Sequence, residues 1–586
     1  MIGLKKTMLR FLFVGVITLL SSQNLSFSQT KSEQIGKLLN LYLESGQFNG
    51  SALVAEKGNV IFKKGIGMAN MEWDIPNAPD TKHRLGSVSK QFTAMLIMQL
   101  VVDGKLELEA TVSKYLPDYS KSNGELITLH HLLTHSSGIP NYTSFSNFFN
   151  ETSRDPFSPS EFLKLFADST LEFTPGSTFA YSNSGYFLLG AIIEKVTGKS
   201  YEQVLQDKIL NPLKMTNTGY DHHLTILKKR ASGYEKNGGA FENASYLDMS
   251  IPYAAGSLYS TTEDLYIWDQ ALYTEKLLPK KYKDIMFKSH IPAFGGHYAY
   301  GWSTSKMPIG NSEESIETIG HGGGINGFNT LITRITSDNS CIILLNNTGG
   351  APLSEITIAI TGILYGKAYD LPKKSLATAL SKVITENGIE SGIKFYEKNK
   401  NSKNYSVKEV DLNSLGYQLL RSEKIKESEA IFKLNTEAFP ESFNVYDSYG
   451  ESLMLQDKNE LAIKNYKKSL ELNPANQNGI DMLKKLGVDT DELVKEIIVP
   501  AEIMESYVGK YELMPGFILT VTKVGNQMKT QATGQAVADI FPKSNSVFYL
   551  KVVAAQITFN KNEKGEVVSL TLQQGGKEIT GEKLPE

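Results

Sequence analysis

The chain has 586 residues, 41% of them hydrophobic and 21% charged, a balance that supplies several packed cores and excludes a wholly disordered chain. Its 60 basic and 63 acidic side chains nearly cancel, so no charge excess points to nucleic acid. The lone cysteine, Cys341, excludes an internal disulfide, a cysteine-rich zinc domain and an iron–sulfur cluster.

The first residues read as an export signal. Lys5, Lys6 and Arg10 form a positive start, Phe11 to Leu20 an apolar run, and Ser26-Phe27-Ser28 a small-x-small site with cleavage expected before Gln29. The apolar run is about half of what spans a bilayer. Residues 1–28 are therefore expected to be removed, taking the formal charge from -3 to about -6. No cysteine adjoins the cut to carry a lipid. No later stretch offers the roughly 18 apolar residues of a membrane span. The expected location is a bacterial periplasm or the exterior.

Residues 36–368 mix strand and helix patterns. Ser51 to Phe62 reads as a hairpin turning at Lys57-Gly58-Asn59. Gly86-Ser87 opens an apolar helix to about Val102, with Gly104 as its stop. Thr174-Pro175-Gly176 is a turn before Tyr181-Ser182-Asn183 and a helix from Tyr186 to Val196. Ser260 to Glu263 reads as a capping box. Gly320 to Gly324 precedes a strand-like run from Ile325, and Cys341 to Asn346 reads as a buried strand. Leu353 to about Tyr365 is helical. Strands at both ends of a helical middle predict an α/β (α+β) unit with one sheet assembled from both ends.

Residues 369–409 read as a helical linker. In residues 410–490, Gly416 and Gly450, Leu419 and Leu453, Phe432 and Tyr466, and Pro440 and Pro474 all repeat at 34 residues, and Ser428 and Ala462 supply small residues twelve after each glycine. That period and pattern match tetratricopeptide repeats. Two copies are fewer than usually stand alone, so a helical spacer and a surface recruiting a protein partner both remain open. Residues 499–586 alternate in period two and predict a small β-barrel or sandwich, with turns at Gly525-Asn526 and Lys564-Gly565.

The chemistry lies in the first unit. Ser87 and Lys90 stand one helical turn apart on one face. A serine hydroxyl is a weak nucleophile, and a desolvated lysine is a base able to take its proton. The helix start adds N–H groups suited to an oxyanion. Tyr181 and Asn183, two apart in extended backbone, face the same way. A phenol there can relay a proton, and the Asn amide can fix lysine and substrate. Glycines near His321 allow a substrate backbone to lie along a strand edge.

These motifs resemble those of the serine β-lactamase and penicillin-recognising enzyme superfamily, most closely its class C β-lactamase-like branch. The order is that of the family: Ser87 to Lys90 as S-x-x-K, Tyr181 to Asn183 as Y-x-N, and His321-Gly322-Gly323 as the strand motif. The strings Leu129 to Pro140, Asn211 to Gly219, Ala255 to Leu265 and Tyr300 to Trp302 are also similar. The resemblance covers about residues 36 to 368. It implies a β-lactamase/transpeptidase-like fold: an antiparallel sheet of five or more strands flanked by helices, with the site against a helical lobe. It implies a serine hydrolase with Ser87 as nucleophile, Lys90 as base and Tyr181 assisting proton transfer. Asn183, His321 and Gly323 would position substrate, and the N–H groups of Ser87 and Gly324 would hold the oxyanion. No cofactor and no metal are implied. His321 stands where class C β-lactamases usually have lysine. A histidine there would be charged only part of the time at neutral pH, which favours the peptidase and esterase members.

Rival readings are weaker. The glycine run lacks the Lys-Ser/Thr of a phosphate loop, and G-x-S-x-G of the α/β-hydrolases is absent. His131 and His135 lack the glutamate of H-E-x-x-H and read as a packed or hydrogen-bonded pair. His222-His223 reads as surface loop without an acidic partner. Expected substrates are peptides or amides with D-residues (D-Ala-D-Ala carboxypeptidase or D-aminopeptidase type), then small esters, then β-lactams as a β-lactamase proper. The alternative is a catalytically silent ligand-binding protein whose repeats recruit a partner.

Overall fold

A strand apolar at nearly every position needs cover on both faces, and Ser340–Asn346 is buried along its whole length. In the computed structural model it lies inside an antiparallel sheet of eight strands. We label these β1 (Gly50–Glu56), β2 (Asn59–Ile66), β3 (Ile291–Ala293), β4 (Gly296–Tyr298), β5 (Ser303–Pro308), β6 (Ser315–Ile325), β7 (Phe328–Ile335) and β8 (Ser340–Asn346). The spatial order is β3-β4-β5-β6-β7-β8-β1-β2. The structure describes residues 29–145, 147–237, 240–474, 476–490, 499–514, 517–533, 535, 537–550, 555–562, 564–574 and 577–585. The export-signal reading of residues 1–28 lies outside them.

The amino-terminal hairpin joins the sheet beside β8, with Gly50 opposite Asn346 and Ala55 opposite Cys341. Alternation then sorts the side chains. Ala52, Val54, Ile342 and Leu344 pack under helix α1 (Lys31–Glu44) and the helix Leu353–Tyr365. Leu53, Ala55, Ile343 and Leu345 face the opposite core, which holds helices α2 (Ser89–Val102) and α3 (Asn183–Thr197). Helix α2 is buried on nearly every side, as its all-round apolar sequence requires.

Two local readings change. The helix Thr262–Ala271 is capped by Thr261, whose side chain accepts from the Asp264 N–H. Ser260 instead ends a strand, and its hydroxyl pairs with that of Thr218 at 2.7 Å. A cap needs extended backbone directly before the first helical residue, and the strand Leu258–Ser260 uses up one position more than the motif implied. The glycine run is part of β6 itself, and the strand-like run expected from Ile325 is interrupted at once by the Asn326-Gly327 turn, so that β7 begins at Phe328.

Beyond the sheet, the helix Leu376–Asn399 is broken at Gly388, where φ is +77°. Two helical hairpins follow, Glu409–Arg421 with Ile425–Ala438 and Phe443–Met454 with Asn459–Leu472. In each, a glycine leaves room for an aromatic ring: a Cβ on Gly416 would lie 2.5 Å from Phe432, and one on Gly450 would lie 3.1 Å from Tyr466. Eight strands from Gly509–Met514 to Lys577–Lys583 close a barrel. Inside it Tyr507 stacks on Phe559 with centroids 4.0 Å apart. The Lys543 ammonium donates to the Leu472 carbonyl, 3.3 Å away, tying barrel to hairpins. Among the described residues, no helix is long and apolar enough to cross a membrane.

The sheet core carries one ion pair. Arg334 Nε donates to Asp269 Oδ1 at 2.6 Å, both side chains being almost fully buried, with the guanidinium over the rings of Tyr273, Phe287 and Trp302. Removing one partner strands a buried charge. Asp269→Ala is expected to cost about 3 kcal/mol, seen in thermal unfolding as an early transition of the sheet-bearing unit. An unchanged transition would show that the pair is not desolvated.

Candidate active site

Gly86, Ser87 and Val88 form one 3₁₀ turn leading into α2. Gly86 has φ of +53°, and a Cβ there would fall 2.9 Å from the Gly324 carbonyl oxygen. Only glycine fits both constraints. This contact sets Ser87 against β6. On the same strand a Cβ on Gly323 would meet the Leu85 carbonyl at 2.0 Å, and Thr330 Oγ1 donates to that carbonyl at 2.7 Å.

One turn along α2, Lys90 is wholly buried. Its Nζ lies 3.0 Å from Ser87 Oγ, 2.8 Å from Asn183 Oδ1 and 2.9 Å from the Ala255 carbonyl. Burial holds its pKa well below the ordinary lysine value. A neutral amine has two N–H donors and one lone pair. Asn183 and Ala255 accept the two donors, which leaves the lone pair for the Ser87 hydroxyl. Asn183 starts α3, and Asn141 Oδ1 accepts from both its Nδ2 and its backbone N–H at 3.2 Å. That sets the Asn183 amide with its oxygen toward Lys90.

The Tyr181 ring covers Lys90, with Nζ 4.9 Å from its centroid, and Tyr186 lies at 5.5 Å. Burial pushes the Tyr181 phenol up, while the neighbouring Ser87 hydroxyl draws it back. The phenol hydroxyl is buried, outside strict hydrogen-bond geometry, and the Ser87 hydroxyl is its polar neighbour.

Behind Tyr181 runs a chain of hydrogen bonds whose polarity is fixed at both ends. The Ser182 N–H donates to His135 Nδ1 at 3.1 Å. His135 Nε2 must then carry the proton, and it faces the Tyr298 hydroxyl at 3.2 Å. That hydroxyl donates to His321 Nε2 at 2.9 Å, and His321 Nδ1 donates to the Gly322 carbonyl at 2.6 Å. Each imidazole has one donor and one acceptor in use, so both are neutral. Burial, together with the positive charge that Lys90 would carry, holds His321 down at about 4 and His135 well below its usual value. His321 is therefore not a partly charged group at neutral pH, and it stands behind the cleft wall.

Ser87 and Asn183 line a cleft of about 370 Å³ together with Gly86, Gly324 and the rings of Tyr142, Phe148 and Phe149. The structure thus gathers Ser87, Lys90, Tyr181, Asn183 and Gly324 around one point, with Gly323 and His321 in the supporting wall. Asn141, Tyr298 and the Ala255 carbonyl escaped the sequence reading, and His135, read as paired with His131, instead bonds Ser182 and Tyr298. Asn141 directly follows the Leu129 to Pro140 string, and His135 lies inside it, so the position was marked but the role was not. Away from the cleft, His131 Nδ1 accepts from the Thr128 N–H at 3.3 Å. His222 and His223 each have an acidic partner after all, Glu202 at 2.9 Å and Asp248 at 3.4 Å. Those carboxylates are distant in sequence and reach the loop only through the fold.

Comparison with known proteins places the sheet-bearing unit in a family. Residues 37–361 match the Beta-lactamase family model, and residues 494–583 match a domain of unknown function, DUF3471. Penicillin-binding protein 4* of Bacillus subtilis is 30% identical over 378 residues, which cover 60% of this chain and 82% of that protein. A D-stereospecific amidohydrolase from Streptomyces sp. superposes with a TM-score of 0.50 and 27% identity over 57% of this chain and 99% of its own. An octameric penicillin-binding protein homologue from Pyrococcus abyssi shares the fold over 94% of this chain and 99% of its own, at TM-score 0.51 and 21% identity.

The neutral histidine chain has a pH signature. Between about 6.5 and about 4 the unfolded chain protonates His321 while the folded one does not. Stability from this group is full above about 6.5 and is lost as pH falls toward 4. The melting temperature should decline over that window, and the decline should shrink in His321→Asn. Equal pH slopes for the two proteins would contradict the neutral chain.

Proposed function

As the chain belongs to the Beta-lactamase family, and so is a serine hydrolase of the β-lactamase and penicillin-binding-protein superfamily, we propose that Ser87 is its nucleophile and Lys90 its base. The observation that carries this reading is the seat of Lys90, a desolvated amine with both donors engaged and its lone pair 3.0 Å from the serine oxygen. Ser87 Oγ attacks a carbonyl carbon and its proton passes to Lys90 Nζ. The ammonium so formed keeps the Asn183 and Ala255 acceptors and gains the faces of Tyr181 and Tyr186. The N–H groups of Ser87 and Gly324 receive the oxyanion. Tyr181 relays the proton: it gives its own to the leaving group as the carbonyl–leaving-group bond breaks and takes back the one held on Lys90 Nζ, so both groups end neutral. Asn183 and Gly323 border the bound substrate, and His321 holds the wall behind it. Water then releases the acyl group.

The substrates of this reading are amides or peptides containing D-residues, followed by small esters. The similarity to a D-stereospecific amidohydrolase supports the first. A neutral His321 supplies no fixed cation for a substrate carboxylate, which weighs against a β-lactamase proper. The site of action in this proposal is outside the cytoplasm of a bacterium. The paired hairpins after residue 409 are read as a tetratricopeptide-like surface for a protein partner.

Intact mass spectrometry after a fluorophosphonate tests the assignment: wild type should gain one adduct and Ser87→Ala none. Labelling of Ser87→Ala at the wild-type rate would refute it. Lys90→Ala should lower kcat about a thousandfold while the fold is kept. Because Lys90 must be neutral to act, kcat/KM should rise with pH along a limb that levels off well below the ordinary lysine value of 10.5.

A further inference from the structure

The cleft over Ser87 has one side chain that bears a full charge. Among its described lining residues Glu235 is the sole acidic or basic side chain, amid rings, aliphatic side chains, amides and glycines, and burial keeps the Tyr142 phenol protonated. The two nearby groups able to be cationic do not offset it. Lys90 lies beneath the floor with its donors spent inside the protein, and His321 sits in the neutral chain behind the wall. The cleft is therefore negative.

The carboxylate has a built seat. Glu235 lies on the hairpin Tyr234–Asn237 and Ala240–Asn243. The Gly327 N–H donates to its Oε1 at 2.7 Å. Its Oε2 occupies the space that a side chain on Gly349 would need, since a Cβ there would lie 1.7 Å away. The preceding Tyr234 is clamped in turn. Its N–H donates to the Asn347 carbonyl at 3.1 Å, its carbonyl accepts from the Gly349 N–H at 2.8 Å, and its hydroxyl bonds Glu72. Across the hairpin Glu235 stands opposite Glu242, a like-charge pairing that costs a hairpin stability. The seat lies at the Asn326-Gly327 turn, just past the end of β6 nearer His321. Gly327 follows Gly324 by three residues, so the backbone separates the two by at most about 10 Å.

We propose that Glu235 selects substrates carrying a primary ammonium within about 10 Å of the reacting carbonyl, such as a D-residue amide or peptide with a free side-chain amine, over neutral or carboxylate-bearing counterparts. This rests on the reading of Ser87 as nucleophile. It adds a sign to the substrate, which the shared motifs around Ser87 leave open.

The test reads binding at Ser87 without requiring turnover. Three p-nitroanilides of Nα-acetyl-D-lysine, with the side-chain amine free, acetylated or succinylated, compete with fluorophosphonate labelling. In wild type the free amine should half-protect Ser87 at about one-tenth the concentration of the acetylated compound, with the succinylated one weakest. That preference should shrink as salt rises. Within Glu235→Gln the ratio of free to acetylated should fall to about one, and within Glu235→Lys the order should reverse toward the succinylated compound. No protection by any compound, or equal protection by all three in wild type, overturns the role of Glu235. A persistent preference in Glu235→Gln overturns it as well. Absence of labelling in wild type alone would instead overturn the nucleophile assignment.

Discussion

Burying an amine is costly unless every donor and the lone pair find partners. Lys90 meets that constraint with groups from three separate stretches of chain: the serine on its own helix, Asn183 at the start of α3, and the Ala255 carbonyl. Each contact fixes a different element. The first sets the turn before α2, the second the register of α3, and the third the short helix Tyr253–Gly256. Burial favours the neutral form of this amine, and neutrality is what lets it take a proton. The requirement for folding and the requirement for chemistry are here the same set of distances.

The supporting wall follows the same logic at a second remove. The Tyr298 hydroxyl accepts from one imidazole and donates to the other when both rings are neutral, as their burial favours, and each shows it the correct nitrogen. Ser182 and Gly322 decide that from the two ends. The ring of Tyr181 rests on His135 at 4.1 Å between centroids, so the chain also fixes the phenol that faces Ser87. At His321 this chain places a group whose hydrogen bonds all turn inward. The charge at the cleft then comes from Glu235, on a hairpin outside the recognised motifs.

How much of this the sequence discloses depends on the range of the contact. Ser87 and Lys90 are legible because a helix places residues three apart on one face, whatever surrounds them. Tyr181 and Asn183 are legible for a similar local reason. The hairpin at Lys57-Gly58 and the helix from Leu353 to Tyr365 carry their periodicity in their own residues. Asn141, Tyr298 and Glu235 are different, because each acquires its role from a partner many positions away: Asn183, His321 and Gly327 in turn. The same holds for the carboxylates beside His222 and His223. Ser260 misleads by a single residue because the strand before it and the helix after it compete for one position, and the sequence does not say which wins.

The pairing of β1 with β8 joins residues almost three hundred apart in sequence, and closing so long a loop is slow compared with forming local helices. A chain made from its amino terminus presents Ser87 and Lys90 early. Yet Gly324, and the strand that seals the sheet, arrive only after more than half of the protein has been made. Until then the turn that carries Ser87 lacks the strand it packs against, although every group that holds Lys90 has already been made. The seat of the lysine is thus complete in the chain before the wall opposite the serine, and the two halves of the site meet only when the last strand docks, with the hairpins and barrel still to come.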